Sequence, residues 1–249
     1  MRNTATVRNN ISISIIMISV LLWVVLLFNP GNIMTVEHCH ISMGGYSSAS
    51  LQMILQMNPI SDMMIGWSLM VFAMMLPKLI VPIQHIYDRS FKNKRLFLSI
   101  LFVLGYAIVW ISVGFIMNAI IIGANLWYPM SYFPALLIGV IAVVWQFSPI
   151  KQRFLNRSHN HKSIAAFGLP AVRDAFTFGA EHGAWCVGSG WALMLFPMLL
   201  PQGHNIAMLL VTFIMVGEHM DHPRIPSWKV DFRLKLFKIF IAQTRMRLR

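Results

Sequence analysis

The sequence predicts an all-α, polytopic integral membrane protein with about six transmembrane helices, and three observations predict it. Only 11% of the residues are charged while 57% are hydrophobic, and the mean hydropathy is +0.65. A soluble domain carries roughly 25% charged residues. This chain therefore has too little polar surface to cover a core in water, whereas lipid would solvate an apolar exterior. Second, apolar runs long enough to cross a bilayer recur along the chain. Third, the basic residues gather at the ends of those runs on alternate sides.

The first run, 11–28, follows Arg2 and Arg8. No small-residue cleavage site comes after it, and Asn29-Pro30-Gly31 reads as a turn, so it is taken as an anchor rather than a leader. Residues 29–59 form a loop. The second span, 60–87, contains Pro77 and Pro82, which predict a kink or break. The third is 96–123. An uncharged turn with Trp127, Tyr128 and Tyr132 suits a membrane interface, and the fourth span follows at 134–147. A basic loop through 151–173 leads to the fifth, 179–200, and the sixth is 205–220. The whole is expected to be a single membrane domain, 1–249, ending in a basic tail, 221–249. In that tail Trp228 to Ile241 mixes apolar and basic residues, as a surface-lying segment would.

The chain has a net charge of +12. In a soluble protein that would suggest nucleic-acid binding. Here the N-terminus and the three segments 89–95, 151–173 and 224–249 hold 19 of the 20 basic residues, and the intervening outer loops hold none. The positive-inside rule then puts both termini in the cytoplasm. It makes the lipid bilayer, and anionic phospholipid headgroups in particular, the partner of that charge, with no nucleic acid. The remaining cation, Lys78, lies within the second span. Cys39 and Cys186 fall in different environments, so no disulfide is expected.

Ionisable residues within membrane spans need a reason. Lys78 and His85 lie in the second span. Glu181, His182 and Cys186 lie early in the fifth, and Glu218 and His219 end the sixth. By the orientation above, His85, His182, Cys186, Glu218 and His219 all fall toward the cytoplasmic leaflet. On a helix His182 and Cys186 share a face one turn apart. Imidazole, thiolate and carboxylate suit a copper or zinc ion. Spacing alone leaves solvation at the headgroup interface as the simpler reading. Methionine is abundant, at 19 residues. Met63, Met70 and Met74 share a helical face, with Met75 beside them. Thioethers favour Cu(I), although packing is their commoner use. In the first outer loop His38, Cys39 and His40 form a second soft-ligand cluster. No Walker loop, nucleophile elbow or His-Glu-x-x-His helix is present.

Three stretches carry a family resemblance over roughly residues 60 to 220. They are Trp67-Ser68-Leu69-Met70-Val71-Phe72-Ala73-Met74-Met75-Leu76-Pro77, Trp145-Gln146-Phe147-Ser148-Pro149-Ile150-Lys151, and the run from His182 through Cys186 and Trp191 to Met194. Together they resemble the bacterial family of predicted metal-binding integral membrane proteins, a domain of unknown function. The resemblance implies a polytopic membrane protein with a metal site. It matches His182, Cys186, Trp191 and Met194 to a His-Gly-x-x-Cys-x-Gly segment, and Glu218 to an acidic residue closing the last span. Many relatives have two adjacent cysteines where Ser189 and Gly190 stand here, so this chain departs from a Cys-rich site. The reading that follows is metal handling in the bacterial inner membrane, with copper favoured. The alternatives are a membrane-embedded enzyme or assembly factor, with His182 as acid–base group and Cys186 as nucleophile, or a structural subunit bound to a membrane partner.

Overall fold

The computed structural model describes residues 2–28, 48–129, 131–160, 162–165 and 167–228, together with 244 and 246. The described residues are all-helical, with no strand. In chain order the helices are α1 (Arg2–Phe28), α2 (Ser48–Met57), α3 (Ile60–Met75), α4 (Ile80–Arg89), α5 (Arg95–Trp127), α6 (Phe133–Gln146), α7 (Pro149–Ser158), α8 (Gly168–Met198) and α9 (His204–His219). Among the described residues three stretches are long and apolar enough to cross a membrane, Thr6–Phe28, Ile60–Arg89 and Arg95–Trp127. The bent pair α6–α7 makes a fourth if it is counted as one span. α8 is long enough, but its first half carries Arg173, Asp174 and Glu181. α9 has only 16 residues.

Local chemistry sets several boundaries that apolar runs do not reveal. The break expected in the second span falls at Pro77, inside a 3-10 turn, Leu76–Leu79, that joins α3 to α4. The loop expected at 29–59 contains α2. Within the basic segment after α6, the Ser148 side chain caps α7 by accepting the Lys151 backbone N–H at 3.1 Å, and Pro149 occupies the first turn. Ser148 is extended, as a residue before proline should be, and the chain turns by 70° there. α8 starts at Gly168, whose φ of 78° suits glycine, with Pro170 in its first turn. Ala171, Ala175 and Phe178 form the buried stripe of that first half.

The chain divides into two compact units, Met1–Pro134 with His161–Ala184, and Ala135–Asn160 with Trp185–Arg249. α8 contributes its first half to one unit and its second half to the other.

In the first unit α1 packs on α3 and α4, and α3 and α4 pack on α5. Ser19 donates to the Ala73 carbonyl at 2.7 Å, and Arg8 pairs with Asp88. Trp67 is fully buried and donates its indole N–H to the Trp110 carbonyl at 2.9 Å. Gly114 leaves the space its ring fills. α5 meets the first half of α8 backbone to backbone. A Cβ at Gly179 would overlap the Phe102 carbonyl, one at Gly105 the Phe176 carbonyl, and one at Gly183 would lie 3.2 Å from the Tyr106 oxygen. Small residues at such positions let helices approach closely.

In the second unit α6 and α9 run side by side in the same direction, with the second half of α8 antiparallel to both. Gly139 of α6 faces Phe196 near the end of α8, while Trp145 donates to the Gly188 carbonyl at 3.1 Å one end away. Gly190 leaves room for Met215 of α9.

Gly179→Leu should destabilise the protein by about 3 kcal/mol or more, because backbone rather than a movable side chain blocks the new atoms. Gly123 lies inside α5 with nothing near its Cβ position. Gly123→Ala should therefore stabilise by up to about 1 kcal/mol through helix propensity. Thermal unfolding of the two variants in detergent checks both signs.

Candidate functional site

The residues singled out by the sequence divide between the two units. His182 is buried at 3% exposure in the first. Its ring centroid lies 5.9 Å from that of Phe102, 6.0 Å from Tyr106 and 6.2 Å from Phe178, so three aromatic rings box it in. The box follows from the glycine contacts, because Gly179 and Gly183 bring α8 close enough to α5 for Phe102 and Tyr106 to reach it. One turn further along α8 stands Cys186, a thiol at 1% exposure that forms no disulfide among the described residues, whose backbone carbonyl accepts the Ser189 hydroxyl at 2.9 Å.

Met70, Met74 and Met75 are fully buried on α3, and Met63 is largely buried on the face that carries Trp67. Lys78 is buried in the 3-10 turn after them. Glu181 is exposed and accepts from Lys162 at 2.8 Å. The Nε2 atom of His85 lies 3.1 Å from the Lys162 carbonyl oxygen. Glu181 and His85 are thus held by partners of their own. His38, Cys39 and His40 lie outside the described residues, as does the tail from Lys229 onward apart from residues 244 and 246. Among the described residues no three His, Cys, Asp or Glu side chains come together as metal ligands would.

Glu218 sits in the second unit, in a setting that spacing did not disclose. Its Oε1 accepts from the Lys151 ammonium at 2.8 Å, with the two side chains 0% and 2% exposed. The same oxygen accepts from the Gln146 amide, and the Gln146 carbonyl oxygen accepts from Lys151. Gln146 ends α6, Lys151 lies in the first turn of α7, and Glu218 lies in the last turn of α9. Lys151 had been counted with the solvated loop cations, but it is the most deeply buried charge described here. The 70° turn at Ser148 directs it inward. The signal in sequence was the Gln-x-x-Pro-x-Lys pattern. It marked both partners without marking Glu218 as their acceptor, because 67 residues separate Lys151 from it.

Aromatic residues surround this triad. Trp191 meets the Trp145 ring edge-on at 5.7 Å, and Trp185 lies against Phe154 and beneath the Arg157 guanidinium at 4.6 Å. His219 stacks on His159 at 5.1 Å, and the two ring nitrogens of His159 lie 2.7 Å and 3.0 Å from the carbonyl oxygens of Leu155 and His219. These contacts bind α7 to the end of α9.

Removing one member of a buried ion pair strands the other in low dielectric, at a cost of about 3–5 kcal/mol, whereas replacing both by apolar residues is close to neutral. Lys151→Met and Glu218→Leu should each lower stability by that amount. The double variant should lose much less than the sum, and a double-mutant cycle on unfolding in detergent measures the difference.

No curated protein and no solved structure matches the chain. The family described as PpoB2, copper chaperone, matches residues 64–229, which include Met70, Met74 and Met75 of α3, the Gln146–Lys151 pattern, His182, Cys186 and Glu218. That match covers more than half of the sequence, and the chain belongs to the PpoB2 copper chaperone family.

Proposed function

We propose that the protein binds Cu(I) through His182 and Cys186 and hands it on, as a multi-pass protein of the bacterial inner membrane. The single observation that carries this reading is the pairing of a buried imidazole and a buried thiol, one turn apart on α8, in a chain of a copper chaperone family. Thiolate and imidazole are ligands that Cu(I) accepts readily.

Charge favours copper over zinc. A thiolate with Cu(I) is neutral overall, so it can be held at 1% exposure without stranding a charge. The same thiolate with a divalent ion would leave a net positive charge on a buried site. Glu218 does not supply the missing negative charge, because Lys151 already balances it. Its place in the reading is to hold the end of α9 rather than to ligate the metal. The buried methionines of α3 would give soft, uncharged surroundings along the second span.

Six membrane passages with both termini in the cytoplasm complete the reading. The distribution of basic residues supports that orientation. His38, Cys39 and His40 would then meet the metal on the outer face.

Detergent-purified wild type, loaded with copper under reductant, should carry near-stoichiometric copper by mass spectrometry. His182→Ala/Cys186→Ala should hold less by about tenfold or more, the loss typical of a damaged metal site. Unchanged copper in the double variant would overturn the assignment.

A further inference from the structure

The C-terminal ends of α7 and α9 meet at one imidazole. The last four carbonyls of a helix have no amide partner inside it, and the helix dipole gathers partial negative charge there. His159 is the residue that ends α7. Its Nδ1 lies 2.7 Å from the carbonyl oxygen of Leu155, in the last turn of α7. Its Nε2 lies 3.0 Å from the carbonyl oxygen of His219, the last residue of α9. A carbonyl oxygen only accepts, so both ring nitrogens have to donate. Histidine has two N–H donors only as the imidazolium. With either tautomer of the neutral ring, one nitrogen lone pair would point at a carbonyl oxygen within hydrogen-bond distance.

On α7, Lys151 is paired with Glu218 of α9, Arg157 lies over the Trp185 ring, and Arg153 is exposed. α6 and the second half of α8 carry no charged residue. His219 stacks on His159 at 5.1 Å, where two imidazoliums would repel, so the stacked pair suits one proton. In the segment after α9, Asp221 is buried 3.6 Å from Arg224, and His222 is exposed. That segment is also tied to α7 one turn before His159. The Asn156 amide donates to the Arg224 carbonyl at 2.6 Å, and the Asn156 side-chain oxygen accepts the Arg224 backbone N–H at 3.1 Å. Asn156 and His159 are three apart and share a face of the helix. Together they clamp residues 219 to 224, from which the basic tail continues.

We propose that the proton on His159 is a latch, which fixes the root of the C-terminal tail to α7 while it is present and frees it on leaving. At a pH below the range in which histidine titrates, two N–H donors hold the helix ends together. As pH rises through that range one donor is lost and a carbonyl is left facing a lone pair, so docking is stronger at pH 6 than at pH 8. The latch rests on neither the copper nor the membrane reading.

The test is hydrogen exchange by mass spectrometry on the full chain in detergent, with rates corrected for the intrinsic pH dependence of exchange. The Asp221 and Arg224 amides, which donate to the Glu218 carbonyl and to Asn156, report the docked segment. In wild type their protection should be about tenfold higher at pH 6 than at pH 8, the worth of one hydrogen bond to a charged group. His222→Gln and His219→Phe should keep that response, since each leaves His159 and both carbonyls in place. His159→Gln should bring protection at pH 6 down to the wild-type level at pH 8. His159→Arg, a permanent cation with several N–H donors, should hold the segment equally at both pH values. It decides the matter if the glutamine variant loses protection in α6 as well and so has unfolded. Equal protection of wild type at the two pH values would overturn the latch. So would a pH response that survives in His159→Arg, or one that disappears in His222→Gln.

Discussion

Lys151 and Glu218 meet at 2.8 Å with almost no surface exposed, and the geometry of the second unit follows from holding them together. Neither charge can exchange its partner for water where it stands. Each helix end that carries part of the triad is fixed relative to the others, because moving one would strand a charge. α6 must end where Gln146 reaches both partners, α7 must turn sharply enough to carry Lys151 inward, and α9 must extend to Glu218. Ser148 and Pro149 make the sharp turn inexpensive, since the serine caps the new helix and the proline cannot continue the old one. α6 and α9 are consequently parallel neighbours joined at one end, with an apolar cavity between them that the triad borders.

The first unit is organised by shape rather than charge. Glycines at 105, 179 and 183 let the backbones of α5 and α8 touch, and the large rings of Phe102, Tyr106 and Phe178 are left to close around His182. An imidazole placed this way has apolar walls that admit a neutral complex and penalise a charged one. Close helix contact and the burial of His182 are thus two results of the same small residues.

The helical class was legible because it depends on summed quantities, the apolar fraction and the lengths of apolar runs, that no single side chain can reverse. His182 and Cys186 were legible because helical spacing is local, and four residues on a helix always return to one face. What escaped was set by distant pairings or by capping. α7 was hidden because its ten residues are too polar for an apolar-run criterion, while the Ser148–Pro149 cap that starts it is a short-range signal of another kind. The first half of α8 was hidden by Arg173 and Asp174, which interrupt the hydropathy but not the buried stripe of Ala171, Ala175 and Phe178. Lys151 was the plainest case. A lysine after a span is normally solvated, and only an acceptor 67 residues away makes its burial tolerable.

The charge balance also bears on the copper reading. Glu218 is already balanced by Lys151, and no group of three His, Cys, Asp or Glu side chains comes together among the described residues. If His182 and Cys186 hold the metal, they do so as two soft ligands. A two-ligand site would leave Cu(I) open to attack by an incoming thiolate or thioether, which is what handing the ion on requires.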